Sequence, residues 1–178
     1  MTDKERYEAA LAFATKKHDG QFRIGGLPYI THPVAVSEIV REKGGDTDAA
    51  ITALFHDLLE DTDATEEEIF ALGGDRVLRS VKLLTKQKGY VMKDYVDGIK
   101  RDKTAFLVKG ADRLHNLRSA VCADTEFKRR YIYETIDWYL DFMPEIPLAV
   151  KNLAKTLDVP LKDLPFLYEP IENWKIGK

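Results

Sequence analysis

Residues 51–62 read ITALFHDLLEDT, an apolar run broken by one histidine and three carboxylates. The spacing predicts a helix opened by Asp46 and reaching about Glu60. His56 and Asp57 are adjacent and lie roughly 100° apart around a helix axis of ~3.6 residues per turn. Both can therefore reach one ion placed off that edge. Glu60 follows His56 by four residues and Asp61 follows Asp57 by four, one turn along the same face. Carboxylates buried without a partner neutralise or destabilise a core. A bound divalent cation removes that cost, and so does a solvated helix end; this segment alone leaves both open.

Two other segments shift the weighing. Residues 106–117, FLVKGADRLHNL, put Asp112, His115 and Asn116 at i, i+3 and i+4 on a largely apolar helix. Residues 29–36, YITHPVAV, place His32 just before a helix N-terminus. Two imidazoles and two carboxylates from three segments, His32, His56, Asp57 and Asp112, suffice for one divalent ion with open positions for water and a phosphate oxygen.

Outward from these segments the periodicity is helical almost throughout. Helices are expected at about 4–18, 33–43, 46–60, 65 onward from the Thr65/Glu68 capping box, 75–84, 90–100, 104–121, 126–142 and 149–157. The Gly- and Pro-rich stretch GQFRIGGLPYITHP, residues 20–33, has room for one short hairpin near 22–30. The segment from Pro160 carries three of the seven prolines and is expected to be irregular. The expected fold is all-α: a compact helical bundle forming one domain over residues 1–178, with a core of about 5–145 and a C-terminal helix and tail over 146–178.

Composition narrows the function. Lys and Arg number 27 against 30 Asp and Glu, a net charge of −3 that gives no support for a nucleic-acid partner. The single cysteine, Cys122, excludes an intrachain disulfide or a Cys–Cys redox pair, and is expected to be a small packed residue. No signal-peptide pattern or membrane span is apparent, so the expected compartment is the cytoplasm. The sequence does not give an oligomeric state.

The stretches HDGQFRIGGLPYITHP (18–33), ALFHDLLEDT (53–62) and VKGADRLHNL (108–117) resemble the HD-domain superfamily of metal-dependent phosphohydrolases. More narrowly, they resemble the hydrolase domain of RelA/SpoT-type alarmone enzymes and small stand-alone alarmone hydrolases such as the metazoan SpoT homologue, over about residues 5–145. The resemblance implies an HD-domain helical bundle that cleaves the 3′-pyrophosphate of ppGpp or pppGpp, giving GDP or GTP, with one Mn²⁺ per chain. It implies His32, His56, Asp57 and Asp112 as metal ligands and Glu60 and Asp61 as the acidic pair that positions or deprotonates the attacking water. It implies Arg23 and Asn116 as nucleotide contacts. Lys109 and Arg113 are candidates for phosphate binding, with surface or ion-pair roles as the alternative.

The family's RKSGEPY reads RIGGLPY here, so Ile24 replaces a Lys, Gly25 a Ser and Leu27 a Glu. That leaves open a second substrate reading: NADPH, an adenine alarmone or a deoxynucleotide. A non-catalytic nucleotide sensor would predict a broken ligand or acidic set, and neither is broken. No synthetase domain is expected, since the helical pattern takes up nearly the whole chain. His18 is read as closing the first helix, with lining the substrate pocket as the alternative, His115 as packed or supporting a ligand rather than ligating, and Trp138, Tyr139 and Phe142 as core rather than base-stacking.

Overall fold

The computed structural model describes residues 1–159 and 163–174. They form nine α-helices with short 3₁₀ turns and no strand. By internal contacts the chain divides into two compact units, Met1–Asp112 and Arg113–Lys178.

In the first unit, α1 (Asp3–Lys17) opens on a capping box in which Thr2 and Glu5 satisfy each other's backbone N–H. The connection from α1 holds one antiparallel bridge, Phe22 to Pro28. The hairpin expected at 22–30 is thus reduced to a single pair, closed by Arg23 N–H to the Leu27 carbonyl at 2.8 Å. Gly25 and Gly26, at φ 101° and 85°, make that tight reversal in a region other residues avoid.

Helix α2 (Thr31–Glu42) follows, then α3 (Thr47–Phe55), whose Asp46 cap accepts from Ala49 N–H at 3.0 Å. Every residue of α3 from Ala49 to Phe55 is buried, and α1, α2 and α5 pack around it. Ile51, Leu54, Phe55, Leu58, Ile69, Val77 and Val81 form the core with Ala10 and Ala14. Each large member contributes roughly 1.5–3 kcal/mol by leaving water.

The helix expected to run to Glu60 breaks at His56–Asp57. Asp57, at φ −101° and ψ −5°, leaves ideal helical geometry, and a one-turn α4 (Leu58–Asp61) resumes. The two helices expected from 65 and from 75 are both present, joined end to end as α5 (Glu66–Leu84) across a non-helical Gly74 (φ 81°, ψ −177°). Helix α6 (Met92–Lys100) packs on α5, and α7 begins at Lys103 and runs to Ser119.

In the second unit, α8 (Thr125–Trp138) packs on α9 (Ile146–Ala154). Tyr139 and Phe142 are buried, as expected of core aromatics, with ring centroids 5.2 Å apart. Cys122 is exposed rather than packed, because it ends a 3₁₀ turn after α7 instead of lying inside a helix. The expected irregular tail falls partly outside the described residues. From 163 to 174 it forms 3₁₀ turns that bury Leu164 and Trp174, with Trp174 edge-on to Phe166 at 5.3 Å. No described helix is long and apolar enough to cross a membrane.

Candidate metal centre

The break at His56–Asp57 builds the site. His56 closes α3 and its Nδ1–H donates to the Ala53 carbonyl at 2.7 Å. A carbonyl only accepts, so the proton is on Nδ1 and Nε2 is turned into the cluster. That Nε2 is buried and has no hydrogen-bond partner, yet Asp57 Oδ2 lies 3.2 Å away and Asp112 Oδ1 3.6 Å away.

His32 comes from the first turn of α2, where the chain turns up from the bridge loop with His32 N–H on the Tyr29 carbonyl. Its Nε2 is 3.2 Å from Asp112 Oδ1 and 3.8 Å from Asp57 Oδ2, and the two imidazoles are 5.2 Å apart between centroids. One ligand atom each from His32, His56 and Asp57 falls within 4.8 Å of the others. Asp112, on α7, reaches both imidazoles from its own side.

The electrostatics call for a cation. Burial works to lower the pKa of His56, but the Asp57 and Asp112 carboxylates outweigh it and hold the imidazole up at about 9. Burial depresses His32, against the pull of Asp112. Burial alone would raise Asp112, but Lys109 and the two histidines pull it well below the carboxylate range. The cluster thus keeps a proton on a nitrogen that makes no proper hydrogen bond. Such a donor set, two imidazole nitrogens and two carboxylates around a buried nitrogen with no hydrogen-bond partner, fits a divalent metal ion that takes the proton's place.

Glu60 and Asp61 project from α4, one turn beyond Asp57. Glu60 accepts from the backbone N–H of Lys86. Partial burial raises the pKa of both carboxyls, and the nearby Asp57 charge adds to it. They border a cavity of about 500 Å³ that Glu66, Thr85, Lys86 and Gln87 also line. Poised carboxyls next to a cation cluster suit proton transfer.

The remaining candidates separate. Arg23 lies in the bridge loop with its guanidinium 5.7 Å from the Tyr29 ring. Lys109 Nζ donates to Asp112 Oδ2 at 2.9 Å, and is thereby a neighbour of the cluster. Arg113 belongs to the second unit, where its buried guanidinium is bonded to Glu134 at 2.6 Å and stacked near Tyr131 and Tyr139. The ion-pair role weighed for it is the one these contacts occupy. Asn116 is half-buried on α7, also in the second unit.

Three residues beside the cluster drew no catalytic reading from the sequence. Tyr29 donates to Asp57 Oδ2 at 2.6 Å and lies 3.5 Å from Asp61 Oδ2. His18 does end α1, but its ring is buried and lies 4.7 Å from that of Tyr29. Gln21 joins His18 Nδ1 at 2.8 Å and donates to the Asp61 carbonyl at 2.6 Å. The available signal was a tyrosine three residues before His32, where a helix start brings both residues to one side.

The chain is similar to several known proteins. It is 35% identical over 164 residues to guanosine-3′,5′-bis(diphosphate) 3′-pyrophosphohydrolase of Haemophilus influenzae, covering 86% of this chain and 23% of that protein. It is 32% identical over 180 residues to GTP pyrophosphokinase of Myxococcus xanthus, covering 93% and 23%. The chain therefore spans about a quarter of the length of these curated relatives. Among solved structures, a metazoan ortholog of SpoT that hydrolyzes ppGpp matches with a TM-score of 0.64 at 25% identity, over 89% of this chain and 95% of that one. The HD-domain family pattern matches residues 10–142, three-quarters of the chain and all four of the clustered histidines and aspartates, and the protein belongs to that HD-domain family.

Proposed function

We propose that this protein is a hydrolase that removes the 3′-pyrophosphate of guanosine alarmones, converting ppGpp or pppGpp to GDP or GTP, with one Mn²⁺ held by His32, His56, Asp57 and Asp112. The observation that carries this reading is the buried, unpartnered Nε2 of His56 facing two carboxylates. The alarmone substrate is supported by relatives named for that reaction. The working unit is taken as the whole chain, since the family match runs through both compact units. A small nucleotide in the cytoplasm, rather than a polynucleotide, accords with the net charge of −3.

When bound, a divalent ion supplies Lewis acidity at a phosphoryl oxygen and lowers the pKa of water. Glu60 and Asp61 then serve the proton. One takes it from the water as its oxygen attacks the phosphorus borne on the 3′ oxygen. The P–O3′ bond breaks, the proton passes to the leaving 3′ oxygen, and free pyrophosphate departs. Their raised pKa values bring them nearer to neutral pH, where a general base works best. Lys109 tempers the charge of Asp112, and Arg23, in the half-exposed loop, is placed to meet the nucleotide.

One feature favours a different nucleotide. Ile24 and Leu27 are both 63% exposed beside Arg23, an apolar rim where the alarmone enzymes carry Lys and Glu. Turnover of ppGpp with Mn²⁺, with pyrophosphate as product, is the test. Glu60→Gln should retain the ion and lower kcat by about 10²–10⁴-fold. Turnover of NADPH or a deoxynucleotide, releasing orthophosphate or triphosphate while ppGpp is untouched, would replace the alarmone reading.

A further inference from the structure

We propose that Tyr29 is a positioning residue of the metal centre, its hydroxyl fixing Asp57 with Oδ2 turned toward the two imidazoles. The proposal rests on the metal-site reading above but not on the identity of the nucleotide.

Each partner in the cluster is steered from outside it. His56 is fixed through Nδ1 by the Ala53 carbonyl. Asp112 is fixed through Oδ2 by Lys109, which leaves Oδ1 facing His32 and His56. Asp57 has one hydrogen-bond donor among the described residues, the Tyr29 hydroxyl at 2.6 Å. That bond falls on Oδ2, the same oxygen that lies 3.2 Å from His56 and 3.8 Å from His32. A carboxylate oxygen has two lone pairs; with one taken by the phenol, one remains for an ion, and free rotation of the carboxylate is stopped. Outer hydrogen bonds of this kind orient ligands and typically change metal affinity or activity by about 10–100-fold when removed.

The phenol is itself braced. The His18 ring lies 4.7 Å from it at 33°, and Gln21 ties His18 to the carbonyl of Asp61. The end of α1, the bridge loop and α4 are thereby held in one arrangement around Asp57. Tyr29 also reaches Asp61 Oδ2 at 3.5 Å, linking the proposed ligand to the acidic pair.

The test is Mn²⁺ titration of the nucleotide-free protein by calorimetry. Tyr29→Phe keeps the ring and its packing, so its metal-free Tm should match the parent. Its Mn²⁺ dissociation constant should rise about 10–100-fold. Replacement by 4-aminophenylalanine returns an N–H donor at the same place and should recover most of the lost affinity. Tyr29→Phe binding Mn²⁺ within twofold of the parent would overturn the proposal, as would a loss that the amino analogue fails to restore. A parent that binds no divalent ion would instead remove the metal site itself, so the two failures are distinguishable. A Tyr29→Phe chain that does not fold would assign the hydroxyl to stability and overturn the proposal as well.

Discussion

Asp112 and Arg113 are neighbours on one helix, both charged and both buried, yet they lie in opposite kinds of surroundings. Arg113 has its charge compensated from within its own unit, by Glu134 at 2.6 Å, Thr135 at 3.4 Å and the rings of Tyr131 and Tyr139 at about 4 Å, although its Nε makes no hydrogen bond among the described residues. Asp112 faces His32 and His56, whose arrangement leaves a buried nitrogen without a hydrogen bond. A buried charge with its counter-charge, hydrogen bond and aromatic faces in place serves structure. A buried group of charges with one component missing serves a ligand.

The largest expected effect comes from breaking the second kind of site. Asp57→Ala should abolish both turnover and the rise in Tm on adding Mn²⁺. In the parent, Mn²⁺ at 100 times its dissociation constant should add about 2.7 kcal/mol of stability. A variant that keeps this metal-induced rise would show that the ion binds elsewhere.

Next in size is the compensated site. Arg113→Met strands Glu134, and should cost about 2–3 kcal/mol in urea unfolding, less than the ~3–5 of a fully buried pair because Glu134 is partly exposed. The stabilisation by Mn²⁺ should persist in this variant. A variant as stable as the parent would mean that the Arg113 contacts are idle.

The smallest effect sharpens the comparison through pH. His56 in the metal-free protein is held at about 9, above its ordinary value of 6.5. It therefore contributes stability that is present below 6.5 and lost as pH rises through 9. Metal must displace that proton, so Mn²⁺ affinity should climb roughly tenfold per pH unit from 7 toward 9, with about one proton released per ion. Calorimetry at pH 7 in buffers of different ionisation enthalpy measures the release. No release would place the ion away from His56.

Much of this was legible in the sequence because it depends on local spacing. The adjacent pair His56–Asp57, the turn to Glu60–Asp61 and the capping motifs are determined over a few residues, and the expected all-α class follows from periodicity. The break in the helix at Asp57 was not legible, since ITALFHDLLEDT contains no glycine or proline to announce it. The hairpin shrank to one bridge because two positive-φ glycines reverse the chain too soon for a ladder.

By itself, then, the sequence determined the spacing of the candidate residues within each segment, because helical periodicity fixes the neighbours of each residue within a turn or two. Only the tertiary structure decided how distant segments meet. It brought Tyr29 to Asp57 across 28 residues, set Asp112 against His32 and His56, and closed Arg113 in its own aromatic box. Such pairings depend on helix breaks, loop reversals and the packing of one face on another, and these are set by the summed burial of many side chains rather than by any local pattern.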